Sequence, residues 1–84
     1  MKYVICCVRD RGIDAFGVPF FMAAIGQATR SFADEVNTQK EGNMLSKHPE
    51  DFDLYHLGYY DDSAARFELL DSPRVLVRGT DVLK

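Results

Sequence analysis

The chain has 84 residues, of which 46% are hydrophobic and 27% charged, and its formal net charge at pH 7 is -3. This length predicts a single domain over residues 1–84 and excludes two independent hydrophobic cores. No stretch approaches the roughly 18 to 20 apolar residues of a membrane span, so we expect no membrane partner. The amino-terminal residues lack a signal-peptide cleavage site, and the two adjacent cysteines have no partner elsewhere. Both features favour a reducing, cytoplasmic compartment.

The first predicted element is a strand over residues 2–9, where apolar and β-forming residues occupy both parities, as in a central strand. A loop follows over residues 10–17. The apolar run at residues 18–25 predicts a second strand, buried on both faces and paired with the first. Pro19 cannot donate to a strand ladder, which places it at the start of this strand or on a sheet edge.

One helix is predicted over residues 27–37, because Ala28, Phe32 and Val36 recur four residues apart while the charged residues between them point elsewhere. The following residues, 39–50, are polar and show no apolar period. They predict a surface connection.

The rest of the chain predicts three further strands, over residues 53–60, 66–70 and 74–78, with turn-forming residues between them. In the first of these strands, strict alternation places Tyr55, Leu57 and Tyr59 on one face. The element order is therefore strand, strand, helix, strand, strand, strand. It predicts an α+β fold in which one helix covers a small antiparallel sheet of about five strands.

The residue types give no support to a catalytic site. No phosphate-binding glycine loop occurs, and neither His48 nor His56 has a metal-ligand spacing with another histidine or a cysteine. The acids of residues 50–53 are interpreted as a solvated lead-in to a strand, and Asp61 and Asp62 as turn residues. We therefore expect no enzyme, no metal and no cofactor.

Charge is unevenly distributed along the chain. Residues 1–47 contain six basic and five acidic residues (+1), and residues 48–84 contain four basic and eight acidic residues (-4). The overall charge argues against a nucleic-acid partner, whereas the uneven distribution permits a local basic surface.

Proteins that bind single-stranded nucleic acid combine aromatic rings, on which bases stack, with arginine and lysine along the backbone path. The candidate DNA-binding residues are Arg9, Arg11, Phe16, Arg30, Arg74 and Arg78, with Tyr55 or Tyr59 as a further ring. The same residues also suit a packed sheet with a charged rim. Arg30 has a local alternative, an ion pair with Asp34 four residues later on the helix.

Four segments, in collinear order, resemble a known family. They are VRDRGIDAFGVPFF, GQATRSFADEVN, SKHPEDFDLYHLGYYDD and PRVLVRGTDV. Together they make the chain similar to the small non-structural protein of gokushoviruses, the microvirus subfamily of tailless phages with single-stranded DNA genomes. In that family the stretch after PFF is often less apolar, whereas here it is MAAIG.

The resemblance implies a phage protein made in the host bacterial cytoplasm, absent from the mature particle, that acts in viral DNA replication by binding DNA. The first hypothesis is accordingly a non-enzymatic accessory protein that binds single-stranded DNA. The alternative is a protein-interaction module that docks a phage or host replication protein without touching DNA. A homodimer is compatible with either hypothesis, because a small sheet with a thin core gains burial by pairing.

Overall fold

A five-stranded antiparallel sheet forms the body of the protein in the computed structural model, which describes residues 1–84. The strands are β1 (Lys2–Asp10), β2 (Ala15–Phe16), β3 (Phe20–Met22), β4 (Phe52–Asp61) and β5 (Arg66–Arg78). The helices are α1 (Ile25–Val36), α2 (Met44–Lys47) and α3 (Gly79–Val82), and a 3₁₀ turn spans Pro49–Asp51. The strand order is β2-β1-β4-β5, and β3 pairs with β1. The predicted α+β fold is confirmed.

Helix α1 covers one face of this sheet, as its spacing predicts. Ala28, Phe32 and Val36 are its buried residues. They share a core with Val4, Cys6, Phe52 and Leu54 of the two central strands. The helix ends at Val36, and the Asn37 side chain donates to the carbonyl oxygen of Val82 at 2.9 Å, which ties α1 to α3. None of the helices has the length and apolar character needed to cross a membrane.

The predicted second strand, over residues 18–25, is wrong in extent and in burial. Only Phe20–Met22 form β3, Val18 is 87% exposed, and Ile25 already belongs to α1. The run has no strand on its outer side, because β3 pairs with β1 alone. The apolar run of residues 18–25 predicts a strand buried on both faces, but this segment lies at an edge of the sheet. Pro19 lies just before this edge strand, as predicted.

The two last predicted strands form one continuous strand, β5. Its register with β4 shifts between the pair His56↔Arg74 and the pair Gly58↔Leu69, so the residues around Pro73 bulge from an otherwise unbroken element. The turn residues there indicated a chain reversal, and the structure accommodates them as a bulge instead.

A second bulge, at Leu57 in β4, overturns the prediction that Tyr55 and Tyr59 share a face. Cys6 pairs with His56 and Ile5 with Gly58, so Leu57 has no partner on β1. One extra residue reverses the alternation of side chains beyond it. Tyr59 consequently packs against the helix-covered core, whereas Tyr55 lies on the other face with Phe16.

Short-range hydrogen bonds order both of the predicted connections, residues 10–17 and residues 39–50. In the first, β2 pairs with the end of β1, and Asp14 adopts a left-handed conformation (φ 53°) in the intervening turn. In the second, the buried Asn43 side chain donates to the carbonyl oxygens of Glu35 and Thr38 at 2.9 and 2.8 Å. Its oxygen accepts from the N–H of Leu45 and begins α2.

Candidate nucleic-acid interface

The residues that α1, α2 and α3 contribute to the core all pack on one face of the sheet, and the opposite face is here called the open face. Its side chains are identified by cross-strand pairing, because directly opposed residues share a face. Its members are Tyr3, Ile5, Cys7, Arg9, Phe16, Phe21, Asp53, Tyr55, Tyr60, Phe67, Leu69, Val75 and Arg78. Ile5 and Cys7 at its centre are buried, whereas the surrounding rings of Phe16, Phe21 and Phe67 are 49%, 50% and 60% exposed. This face is therefore an aromatic surface.

Three arginines meet at one end of the open face and form what we call the arginine cluster: Arg9, Arg11 and Arg78. Asp53, which opposes Arg9 on one side and Arg78 on the other, lies between them. Its Oδ2 atom is 3.2 Å from Nε of Arg11 and 3.1 Å from Nη1 of Arg78. Arg11 also donates to the carbonyl oxygen of Glu50. A single carboxylate thus positions two guanidinium groups.

Arg9 joins the cluster to the aromatic surface. Its guanidinium carbon is 5.3 Å from the centroid of the Phe16 ring, within the range of a cation–π contact. Phe16 in turn meets Tyr55 edge to face at 5.1 Å, which restricts the ring's orientation. Arg9 also donates to Asp14 at 2.5 Å. Hydrogen bonding to Asp14, with a smaller effect from Tyr55, raises the pKa of Arg9 above its ordinary value.

The predicted binding residues divide into two groups in the folded chain. Arg9, Arg11, Phe16 and Arg78 come together, whereas Arg30 and Arg74 do not join them. Arg30 is exposed on α1, which covers the opposite face, and none of the structure's ion pairs joins it to Asp34. Arg74 opposes His56, whose buried ring belongs to the helix-covered side.

Acidic groups accompany the arginine cluster and limit its positive potential. Asp53 neutralises part of the charge of Arg11 and Arg78, and Asp14 pairs with Arg9. The Asp14 side chain is 85% exposed, so a competing anion can displace it at little cost. Asp53 is fully buried and remains in place.

Sequence analysis missed Asp53 as a structural partner, because it assigned residues 50–53 to a solvated lead-in. The side chain is buried, and its Oδ1 atom has no hydrogen-bond partner. The available indication was local: an acid between the large apolar residues Phe52 and Leu54, on a strand. Ionised carboxylates in such positions are seldom buried without a cationic partner.

One group of possible metal ligands occurs outside the cluster. Ligand atoms of His48, Glu50 and Asp51 lie within 4.8 Å of one another. The first two residues are exposed, and the closest approach of His48 Nδ1 to Glu50 Oε1 is 3.7 Å. We assign no metal to these residues.

The chain is similar to known phage proteins. The Phage ORF5 protein family matches residues 3–82. Protein ORF5 of Chlamydia phage 1 is 38% identical over 72 residues, which cover 83% of this chain and 75% of that protein. No solved structure gives a significant match. The resemblance to the small non-structural protein of gokushoviruses is thereby confirmed. The chain belongs to the Phage ORF5 protein family.

Proposed function

We propose that this phage protein binds single-stranded DNA through the open face, as a non-enzymatic accessory protein of viral replication in the host cytoplasm. The observation on which the proposal rests is the meeting of three arginines with a half-exposed ring. Arg9, Arg11 and Arg78 lie at one end of an uncovered sheet face beside Phe16. Exposed rings stack with bases of any sequence, and arginines contact the phosphates between them.

The same geometry favours single strands over duplexes. A base can stack on the Phe16 ring only if one face of the base is free. In a duplex, the neighbouring base pairs cover both faces of each base. The edge-to-face contact with Tyr55 holds the Phe16 ring in one orientation before any ligand arrives. Such preorganisation lowers the entropy cost of binding.

Binding must be weak to moderate and depend on salt, because the arginine cluster already has two carboxylate partners. Two or three phosphate contacts predict a slope of log affinity against log salt of about -1.4 to -2.1 on single strands. The acidic chain as a whole repels DNA at long range, and this repulsion is screened as salt rises.

The test is fluorescence anisotropy with labelled oligo(dT) and a duplex of equal length, at about 50 mM and about 200 mM salt. Phe16→Leu keeps the apolar volume and removes the stacking surface. It should weaken binding by at least about fivefold. Arg9→Ala should weaken binding at low salt and reduce the salt slope by about 0.7. Arg30→Ala removes the same charge from the opposite side of the protein and is the matched control.

Absence of binding at low salt, or equal losses in Arg9→Ala and Arg30→Ala, would refute the proposal. In that event the alternative is a protein-docking module. The exposed apolar residues Phe21, Phe67 and Leu69 favour that alternative, because monomeric proteins seldom expose such clusters without an interaction.

A further inference from the structure

The end of the open face away from the arginine cluster contains a cavity of about 480 Å³, lined by Tyr3, Phe21, Tyr60, Ala65 and Phe67. We call it the hairpin cavity, because it lies beside the β4–β5 turn. We propose that the hairpin cavity is a second base-binding subsite, so that one DNA strand crosses the open face from the arginine cluster to this turn. The inference rests on the proposed function and extends it from one stacked base to at least two.

The rings of the hairpin cavity lie on neighbouring strands and are open to solvent. Tyr3 of β1 opposes Tyr60 of β4, which in turn opposes Phe67 of β5. The Phe21 ring centroid, on β3, is 5.9 Å from that of Tyr60 and 6.5 Å from that of Phe67. Phe21 and Phe67 are 50% and 60% exposed. In RNA-recognition motifs, aromatic side chains on a sheet stack two or three bases in this manner.

The volume and the lining of the cavity suit a nucleobase. Pockets that hold small organic ligands have volumes of about 300–1,000 Å³, and this cavity lies within that range. Four of its five lining residues are aromatic and none is charged, which matches the flat, uncharged ring of a base. The phenolic hydroxyls of Tyr3 and Tyr60 can donate or accept hydrogen bonds, as base edges do.

Charge on the open face favours a DNA strand over a second copy of this chain. Among the strand residues of this face, Arg9 and Arg78 are cationic and Asp53 is anionic, which gives +1 in a chain of net charge -3. Two open faces placed together would therefore bring like charges together, whereas a polyanion is attracted to one.

The acids near the hairpin cavity do not repel DNA from this face. Four charged residues adjoin its rings in the sequence: Lys2, Asp61, Arg66 and Glu68. Successive side chains of a strand point to opposite faces, so all four lie on the helix-covered side. The Lys2 ammonium and the Glu68 carboxylate pair with each other there, at 2.8 Å. A strand that approaches the open face thus meets the rings without these carboxylates.

One short strand can reach both ends of the open face. Tyr3 and Arg9 are six residues apart on β1, about 20 Å. Stacked nucleotides advance about 3.4 Å each, so about six of them cover this distance, and fewer do where bases are splayed onto rings. Between the two ends, β1 contributes only the uncharged Ile5 and Cys7 to this face. The path from the arginine cluster to the hairpin cavity is therefore continuous.

The test compares oligo(dT) of three nucleotides, which is too short to span the face, with oligo(dT) of ten, at about 50 mM salt. Phe67→Leu keeps an apolar side chain and removes the ring. It should weaken binding of the longer strand by at least about fivefold, the loss of one stacked base, and leave binding of the shorter strand unchanged. Leu69→Ala is the matched control, since it removes exposed apolar surface beside the cavity without removing a ring, and it should bind both strands as the wild type does. Phe21→Leu removes a second ring of the cavity and replaces Phe67→Leu if that variant does not fold.

Nuclear magnetic resonance gives a direct readout of the cavity. The Ala65 methyl group lines it, so a base seated there places its ring current beside this methyl. The methyl resonance should shift when the longer strand binds the wild type and should remain in place with the shorter strand.

Equal losses in Phe67→Leu and Leu69→Ala would show that apolar area matters and the ring does not. That result, or an Ala65 methyl that does not shift in the complex with the longer strand, would overturn the inference and assign the cavity to a protein partner. Binding of the longer strand that depends on Arg9 and Phe16 but not on Phe67 would overturn the second subsite and leave the proposed function standing. A wild type that binds neither strand would refute both.

Discussion

Asp14→Asn should strengthen DNA binding, and this prediction tests the arginine cluster directly. Arg9 donates to Asp14, and a phosphate that takes this guanidinium must first displace the carboxylate. The Asp14 side chain is 85% exposed, so solvent screens the pair. Exposed ion pairs shift an equilibrium by no more than about fivefold, which is the upper limit for the gain in affinity. Asparagine tolerates the left-handed conformation at this position, so the turn should persist.

The assay is the anisotropy titration with oligo(dT) at low salt, with Asp62→Asn as the control. Asp62 lies just beyond β4 and is nine residues from Asp53 along the chain, about 30 Å for extended backbone. Both substitutions remove one negative charge, so a difference between them reports the release of Arg9 and not the change in net charge. Equal gains, or weaker binding in Asp14→Asn, would refute the assignment of Arg9 as a phosphate contact.

Four further predictions concern stability. Phe32→Ala removes a ring that is 4% exposed in the core and should lower the free energy of unfolding by about 3 to 5 kcal/mol, measured by urea denaturation. Gly79→Ala should also destabilise the protein, because a Cβ there would collide with the carbonyl oxygen of Pro49; a melting temperature equal to that of the wild type would contradict this. Asn43→Ala should cost about 1 to 3 kcal/mol by leaving buried backbone groups unpaired, and hydrogen exchange should locate the loss at α2. Burial raises the pKa of the Cys6 thiol to about 11 from 9.0, so the folded state retains its proton more tightly. This contribution to stability is present below pH 9 and should be lost as the pH rises towards 11, and a free energy of unfolding that increases over this range would contradict it.

Local patterns in the sequence predicted the elements that depend on neighbouring residues. The four-residue spacing of Ala28, Phe32 and Val36 predicts both α1 and its buried side, because helical geometry alone determines which side chains share a face. The β4–β5 hairpin follows similarly from two β-forming runs around a turn. Family membership also lies in the sequence, since it depends on the order of residue types.

Patterns among neighbouring residues do not show whether a strand lies at the edge of the sheet or how it aligns with its partner strand. The run from Val18 is apolar enough for a central strand, yet it lies at an edge because no other strand pairs beyond β3. The bulge at Leu57 separates Tyr55 from Tyr59, although alternation placed them together. An extra residue in a ladder is visible only relative to the opposing strand, so a single-strand pattern cannot reveal it.

In the candidate site, too, the sequence determines which residue types are present, and the strand pairings determine which of them meet. The sequence by itself determined the supply of arginines and aromatic rings, the helix that covers one side of the sheet, and the phage family. Only the tertiary structure decided that Arg9, Arg11 and Arg78 surround Asp53 while Arg30 and Arg74 lie apart. The physical reason is that periodicity acts over a few residues, whereas the position of these charges depends on the pairings of Arg9 with Asp53 and of Asp53 with Arg78, which join residues 44 and 25 positions apart in the chain.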